Sequence, residues 1–401
     1  MKLFKHLLIA PATLGLLSPI AINATEVNFD EISNYSEIEE IDLDVNSFNS
    51  IPSNNKLLIS GGEGLVDSVD SQDYGDSFST TTTASFSADM FLGAVTGGPK
   101  NDETEPDTLG DGVMAAYSFQ IDLNTSFTGE DSLDISIDAG NTSASILGIN
   151  EFDGNATGDA LSVDGVSYTF PLGDKTTVIV GDNTDGSALF TTACSYGGPS
   201  NTLDDCGNVN AGITNGGAMV GASYDFGNGF TSAVGYAAGE SDMATGLMTK
   251  ETLDAYGVNA AYSRDNYGFS ITYGLVETSS TDEDTFTAFN GYYTPEGGFP
   301  SISVGYEIGE DGSVTDKTAD ELTSFFVGLQ WDEVGPGTAG IALGTKTPTV
   351  EKTDEQYMYE AYYSYPINDG MTITPLIFIR ETSTAGVEDE TGAMVKTSFS
   401  F

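Results

Sequence analysis

Apolar and polar residues alternate with a period of two through most of the chain after Ser77. In the segment 113–127 the odd positions are apolar from Val113 to Leu123, whereas the even positions include Gln120 and Asp122. A period of two is the pattern of a β-strand with one apolar and one polar face. Counting such runs, bounded by Gly, Asp, Asn and Pro, predicts about sixteen strands between Ser77 and Phe401.

The segments between these strands are alternately short and long. The predicted short turns are 128–131, 172–174, 227–229, 264–266, 295–298 and 367–370. The predicted long connections are 96–111, 140–159, 182–216, 239–251, 309–320 and 381–390. Outer-membrane barrels have short turns on one rim and long loops on the other. The pattern therefore predicts an all-β fold, a transmembrane antiparallel up-and-down β-barrel of about 16 strands. A soluble β-sandwich is the alternative, but it does not explain the alternation.

The chemistry of the two faces agrees with a bilayer. No charge falls on the apolar face of 113–127 or of 267–275, and a lipid-facing charge near the midplane costs about 2–4 kcal/mol. Tyr357, Tyr359, Tyr363 and Tyr365 share one face of a predicted strand, as in an aromatic girdle. The alternation continues to Phe401, which is typical of a closing barrel strand.

The chain divides into three predicted parts. Residues 1–24 have two lysines, an apolar run and a plausible cleavage point after Ala24, which indicates a secretory signal peptide. Residues 25–76 are rich in Asp, Glu, Ser and Asn and are interpreted as a flexible periplasmic linker. Residues 77–401 form the barrel. No apolar run of about 18 residues follows the signal, so a helical membrane span is not expected.

Charge and residue inventory restrict the function. Removing Lys2 and Lys5 with the signal takes the formal net charge from −49 to −51, which disfavours nucleic acid and favours cations as partners. The only histidine, His6, leaves with the signal, so Ser-His-Asp catalysis and histidine-bound metals are excluded. The acidic clusters do not have the spacing of a calcium loop. We therefore expect no enzyme activity, no cofactor and no metal site. A membrane hydrolase would need an unusual carboxylate or Ser-Lys site.

The polar strand faces predict a water-filled lumen lined mostly by carboxylates. The predicted pore-lining residues are Asp89, Asp122, Asp134, Asp138, Asp225, Glu307, Glu360, Arg380 and Lys396. Acidic clusters in the connections, around residues 102–107, 282–284 and 388–390, would add a negative vestibule. A solvated acidic surface is the other interpretation.

The longest connection, 182–216, contains both cysteines, Cys194 and Cys206. An even number of cysteines in an exported protein predicts a disulfide between them. In the chain-entropy model such a bridge contributes about 3 kcal/mol.

Four segments resemble a known family: residues 1–28, the cysteine loop CSYGGPSNTLDDCGN, 327–332 (VGLQWD) and 359–379 (YEAYYSYPINDGMTITPLIFI). They are similar to outer-membrane porins of cyanobacteria in the OprB-like carbohydrate-selective family, some of which are described as iron-uptake porins. The resemblance implies a homotrimer. Members typically carry a surface-layer-homology domain after the signal, and residues 25–76 show no such motif.

The predicted function is passive diffusion of ions and small hydrophilic solutes across the cell outer membrane, with a preference for cations. In general porins the third loop enters the barrel, so segment 182–216 is expected either to restrict the pore or to remain as a stapled external loop. The alternative function is a non-conducting surface barrel that acts as an adhesin or a structural envelope protein. Expected partners are outer-membrane lipid, inorganic ions and small solutes.

Overall fold

The computed structural model describes residues 81–97, 112–142, 149–214, 216–239, 246–249, 253–314, 320–383 and 386–401. The predicted signal peptide, the predicted linker 25–76 and the acidic cluster 102–107 lie outside these residues.

Strands make up most of the described chain. They are β1 (Thr81–Thr96), β2 (Met114–Ser126), β3 (Ser132–Gly140), β4 (Ser162–Pro171), β5 (Thr176–Asp182), β6 (Met219–Gly227), β7 (Phe230–Ala238), β8 (Asp254–Ser263), β9 (Tyr267–Glu277), β10 (Glu283–Tyr293), β11 (Ser301–Glu310), β12 (Glu321–Val334), β13 (Gly337–Thr345), the short β14 (Thr349–Val350), β15 (Tyr357–Asn368), β16 (Met371–Arg380) and β17 (Glu390–Ser400). One turn of 3-10 helix at Ile149–Phe152 lies between β3 and β4. No helix among the described residues is long and apolar enough to cross a membrane.

The strands form one closed antiparallel sheet. Each long strand pairs with its neighbours in sequence, apart from the short β14, which pairs with β12 while β13 pairs with β15. β1 pairs with β2 on one side and with β17 on the other, and this second pairing closes the ring. At the seam Phe86 and Phe401 exchange two backbone hydrogen bonds of 3.0 Å. The prediction of a barrel with 16 strands is confirmed.

The connections follow the expected alternation, with one exception. Two-residue turns join β12 to β13 and β15 to β16, at the same rim as the other short turns. The connection between β9 and β10 contains only residues 278–282, although it lies on the rim of the long loops. The acidic cluster at 282–284 therefore does not sit in a long loop, because Glu283 and Asp284 already belong to β10.

The outer face of the barrel is apolar and exposed. In β9 the side chains of Phe269 and Ile271 are 55% and 43% exposed, while the intervening Ser270 is 3% exposed. Aromatic side chains collect near the short-turn rim on this outer face, among them Phe226 (57% exposed) and Tyr293 (51%). This arrangement is that of a surface in contact with lipid and its interfacial region.

The inner face is not polar throughout, which differs from the expected wet lumen. A cluster of buried apolar side chains lies inside the ring and includes Phe91, Phe326, Phe378 and Met394. These residues occupy inward positions of β1, β12, β16 and β17. They are buried because chain segments that enter the barrel pack on them, so part of the interior is a hydrophobic core.

Candidate functional site

The longest connection, residues 183–218 between β5 and β6, is called loop L3 here. Its backbone contacts polar side chains on the inner face of the opposite strands. Thr191 N donates to Asn259 Oδ1 of β8 at 3.0 Å, and Ala193 N donates to Ser270 Oγ of β9 at 2.9 Å.

The next two bonds continue the same series. Ser195 N donates to Ser303 Oγ of β11 at 2.9 Å, and Gly197 N donates to Gln330 Oε1 of β12 at 2.7 Å. Every second N–H points to the same side of an extended segment, so alternate residues of L3 bond in turn to β8, β9, β11 and β12. We call these four bonds the L3 ladder. It places this part of L3 inside the barrel.

The returning half of L3 is held by β10 and β11. Glu307 of β11, 2% exposed, accepts hydrogen bonds from the backbone N–H groups of Asn210 and Ala211, each at 2.8 Å. The same carboxylate accepts one from Asn210 Nδ2 at 2.8 Å. Asn290 Nδ2 of β10 donates to the Cys206 carbonyl oxygen at 2.8 Å. Glu307 therefore binds L3 through three hydrogen bonds to one buried carboxylate.

Close approach of L3 to the wall requires glycine at several inward positions. A Cβ at Gly305 of β11 would overlap the carbonyl oxygen of Cys206, and a Cβ at Gly235 of β7 would overlap that of Gly186. A Cβ at Gly274 of β9 would lie 2.8 Å from the Ala211 carbonyl oxygen. The absence of side chains at these positions lets the loop backbone lie directly on the strands.

Cys194 and Cys206 join the outgoing and returning halves of L3. The structure contains a disulfide between them, with their Cα atoms 6.4 Å apart. Next to it, Tyr196 packs between the rings of Phe326 and Tyr362, at centroid distances of 5.3 and 5.8 Å. The Tyr196 hydroxyl donates to Glu360 Oε1 at 2.5 Å. The tip of the loop is therefore seated in the internal hydrophobic core.

The connection between β3 and β4, residues 141–161, also contacts the inside of the barrel. Phe152 stacks on Phe91 of β1 with ring centroids 5.5 Å apart. Arg380 of β16 donates to the Glu151 carboxylate, and it also pairs with Glu390 of β17 at 2.5 Å. Asn201 N of L3 donates to the Glu151 carbonyl oxygen at 2.9 Å. Two connections therefore contact each other inside the barrel. The sequence analysis predicted that at most one connection, 182–216, enters it.

All nine predicted pore-lining residues occupy inward positions, but their surroundings differ. Glu307 and Glu360 are buried under L3. Both predicted cations are paired, Arg380 as described and Lys396 with Asp89 at 3.3 Å. The remaining carboxylates lie on β2, β3 and β6: Asp122, Asp134, Asp138 and Asp225.

The carboxylates on β2 and β3 bond within their own wall. Asp122 accepts hydrogen bonds from Gln120 Nε2 at 2.7 Å and Ser136 Oγ at 2.8 Å. Asp134 accepts one from Asn124 Nδ2 at 2.6 Å. Neither Asp122 nor Asp134 has a hydrogen bond to a described residue of L3. The wall formed by β2 and β3 therefore faces the part of the lumen that L3 does not occupy.

Loop L3 carries three carboxylates of its own beside a cavity of about 250 Å³. The side chains of Asp185, Asp204 and Asp205 have surface in contact with water. Their carboxylates are nevertheless partly buried, because the loop lies inside the barrel and protein surrounds them on most sides. This burial, with a smaller contribution from neighbouring carboxylates, raises the pKa of Asp204 to about 7 and that of Asp205 to about 6. Burial also raises the pKa of Asp185.

Comparison with solved structures identifies the architecture. A structure of Pseudomonas putida OprB at high pH aligns with a TM-score of 0.55 at 12% identity, covering 80% of this chain and 94% of that one. A triple mutant of the Rhodopseudomonas blastica porin aligns with a TM-score of 0.52 at 15% identity, covering 80% of this chain and 100% of that one. The chain has the porin fold. No protein-family model matches the sequence, and no curated protein sequence matches it.

Several residues that position L3 in this porin fold were not singled out from the sequence. Asn259, Ser270, Ser303 and Gln330 were not among the predicted pore-lining residues, although each one bonds to the loop. The signal that could have found them is their inward position on strands that also carry inward glycines, such as Gly305 of β11. That signal depends on strand register, which a single sequence specifies only loosely.

Proposed function

We propose that this chain is an outer-membrane porin through which ions and small hydrophilic solutes diffuse passively, with a preference for cations. The observation that carries the proposal is the L3 ladder, which attaches a long loop to the inside of a closed sixteen-stranded barrel. In this proposal L3 restricts the pore, and solutes pass between the loop and the wall formed by β2 and β3.

The cation preference rests on the balance of charges inside the barrel. Carboxylates at Asp122 and Asp134 face the space next to L3, and the loop adds Asp204 and Asp205. Arg380 and Lys396 are both paired with carboxylates, so neither supplies an uncompensated positive charge. A passage bordered by negative groups raises the local concentration of cations within a Debye length of about 8 Å at 0.15 M salt.

The setting follows from the same proposal. The apolar outer face contacts outer-membrane lipid, residues 1–24 direct export, and residues 25–76 serve as a periplasmic linker. A homotrimer is part of the proposal through the family resemblance.

Planar-bilayer recording of the purified protein under a KCl gradient tests the conductance and its selectivity. We expect open channels whose reversal potential lies closer to the equilibrium potential of K⁺ than to that of Cl⁻. Replacing Asp122 and Asp134 together by Asn should shift this potential toward that of a non-selective pore. The matched control, Asp265→Asn with Asp369→Asn, removes the same charge from exposed short turns and should change it less. Anion selectivity would contradict the proposal.

One observation favours a second function. The internal hydrophobic core fills part of the ring, as in a barrel that serves mainly as a surface scaffold. A non-conducting barrel that acts as an adhesin or envelope protein is therefore the second candidate. The same recording separates the two, because correctly folded protein that gives no channels would favour this candidate.

A further inference from the structure

Two basic side chains at the short-turn rim differ from the other basic residues of this acidic chain. Lys175 and Arg264 lie exposed in the turns before β5 and β9. Within the described ranges neither has a carboxylate partner, although the chain contains 61 acidic residues. The other basic residues that the structure describes all bond to acceptors of the protein: Lys346, Lys352, Arg380 and Lys396.

Both cations lie beside tyrosines of the outer face. Arg264 Cζ is 5.3 Å from the ring centroid of Tyr262 on β8, and Arg264 Nε donates to the Tyr262 hydroxyl at 2.7 Å. Lys175 Nζ is 6.0 Å from the ring centroid of Tyr224 on β6. Tyr262 also contacts the exposed ring of Phe230 on β7, with centroids 4.4 Å apart. The two cations therefore border the aromatic girdle, where a bilayer changes from headgroups to acyl chains.

The outer face has a depression on the membrane side of these rings. Ser232 of β7 pairs with Ala260 of β8, and both of these small residues lie on the outer face. Tyr224 borders the pair on β6, and Ile271 borders it on β9. Because neighbouring strands lie about 4.8 Å apart, the two small residues leave a gap about two strands wide between larger side chains. An acyl chain fits such a gap.

The charges at the rim are complementary to an anionic headgroup. A guanidinium presents paired N–H donors that match the oxygens of a phosphate. Only the Nε of Arg264 is bonded within the described part of the chain, so both Nη groups are available to a ligand. Lys175 adds a second positive charge on the other side of β7. Asp174 and Asp265 lie in the same two turns, but neither forms an ion pair with these cations.

We propose that this part of the outer face binds one anionic phospholipid. Arg264 holds the phosphate of its headgroup, Lys175 adds attraction, and one acyl chain lies in the depression at Ser232 and Ala260. The placement of the site in the periplasmic leaflet rests on the proposed outer-membrane setting, because barrels of that membrane have their short turns on the periplasmic side. Lipid binding requires no conduction, so a failure of this proposal is distinguishable from a failure of the proposed channel.

Native mass spectrometry of the purified full-length protein, released from detergent after lipid is added, counts the lipids that each chain retains. The probes are dioleoylphosphatidylglycerol and the zwitterionic dioleoylphosphatidylcholine, which has the same acyl chains. We expect one phosphatidylglycerol per chain, retained at a concentration about tenfold lower than phosphatidylcholine requires, because its phosphate is not neutralised by a cation of its own headgroup. Glycerol 3-phosphate carries the phosphate without acyl chains and should not displace the lipid.

Two variants locate the site, each with a matched control. Arg264→Gln should weaken phosphatidylglycerol binding by about tenfold, because the paired contacts to phosphate are lost. Lys352→Gln removes the same charge from an exposed position at the long-loop rim and should leave binding unchanged.

The second variant tests the depression. Ala260→Leu fills it and should weaken binding by about threefold, because the acyl chain loses contact area. Ala393→Leu makes the same change at an exposed outer position of β17 and should have no effect. Retained heat-modifiable migration in gels shows that each variant is folded.

Three results would overturn the proposal. Equal retention of phosphatidylglycerol and phosphatidylcholine would show that the rim does not select a negative headgroup. Displacement of the lipid by glycerol 3-phosphate would indicate a site for free phosphate instead of a lipid site. Binding that Arg264→Gln leaves unchanged, or that Lys352→Gln weakens equally, would show that Arg264 does not hold the headgroup.

Discussion

The inside of the barrel has two walls of similar polarity that use their polar groups differently. On β2 and β3, Asp122 and Asp134 accept hydrogen bonds from side chains of the same two strands. On β8 to β12, Asn259, Ser303 and Glu307 bond to the backbone of L3. We call these the open wall and the loop-bearing wall.

The difference shows that an inward polar side chain of a barrel can have either of two structural roles. On the open wall it meets water and its neighbours, so its removal changes mainly charge. On the loop-bearing wall it replaces water as the partner of a buried backbone group, so its removal leaves that group unpaired. Substitutions on the two walls should therefore differ in stability and in pore width.

The largest contrast is expected between Glu307→Ala and Asp134→Ala. Loss of Glu307 leaves the N–H groups of Asn210 and Ala211 without their acceptor and should lower the free energy of unfolding by about 2–4 kcal/mol. It should also free the returning half of L3 and increase single-channel conductance. Urea unfolding in lipid vesicles, followed by the fluorescence of the single tryptophan, Trp331, measures the first effect.

Asp134→Ala is the matched change on the open wall. Its partners Asn124 and Ser132 remain accessible to water, so we expect a loss of about 1 kcal/mol or less. Equal losses for the two variants would mean that the walls do not differ in the way described.

Removing the disulfide tests whether the loop-bearing wall holds L3 without help. Cys194→Ser with Cys206→Ser should lower the free energy of unfolding by about 2–3 kcal/mol, because the unfolded chain gains freedom. The ladder and Glu307 remain, so conductance should become noisier without a large increase in its mean. Single-channel traces with and without reductant provide the measurement, and the doubly substituted protein should not respond to reductant. A large increase in mean conductance would show that the disulfide, rather than the wall, positions L3.

A smaller effect is expected from adding one methyl group to the loop-bearing wall. Gly305→Ala would place a Cβ against the Cys206 carbonyl oxygen and should cost about 1–3 kcal/mol, because the loop must move away. Gly291→Ala on β10 is the control, since its Cβ would meet its nearest atom at an ordinary 3.4 Å. Thermal unfolding of both variants compares them, and a stable Gly305→Ala protein with wild-type conductance would argue against close packing of L3 on β11.

The alternation of residue types was sufficient to predict the barrel but not its interior. A period of two assigns Phe269 and Ser270 to opposite faces, and closure then assigns the apolar face to the outside. Phe326 and Phe378 instead lie in runs of consecutive apolar residues, 325–327 and 376–379, and they face inward. Their burial depends on Tyr196 and other residues far away in sequence, which local patterns do not specify.

The same limit applies to the candidate site. The acidic inward residues were found because charge is visible at a single position, as with Asp122 and Glu307. Whether each one meets water or the loop depends on the path of L3, which is set by many hydrogen bonds between residues more than 60 positions apart. The acidic cluster 282–284 was predicted to lie in a connection, whereas Glu283 and Asp284 belong to β10, because the run of polar residues there continues into the strand.

Lowering the pH should distinguish carboxylates on L3 from one at the rim of the open wall. Burial raises the pKa of Asp204 to about 7 and that of Asp205 to about 6, so both gain protons between about pH 8 and about pH 5. In the short turn between β2 and β3, the hydrogen bond from Tyr168 lowers the pKa of Asp131, which stays charged over this range. The cation preference should therefore weaken as the pH falls, through loss of charge on L3.

Stability should change in the opposite direction. A carboxyl group whose pKa is higher in the folded state binds more protons there, so its contribution to stability is fully present below about pH 4 and is lost as the pH rises through 6 to 7. Reversal potentials and unfolding midpoints recorded from about pH 8 to about pH 5 check both trends. Asp204→Asn with Asp205→Asn should reduce the pH dependence of both measurements, while Asp131→Asn should leave it unchanged. Persistence of the pH-dependent selectivity without Asp204 and Asp205 would place the titrating groups on the walls instead of on L3.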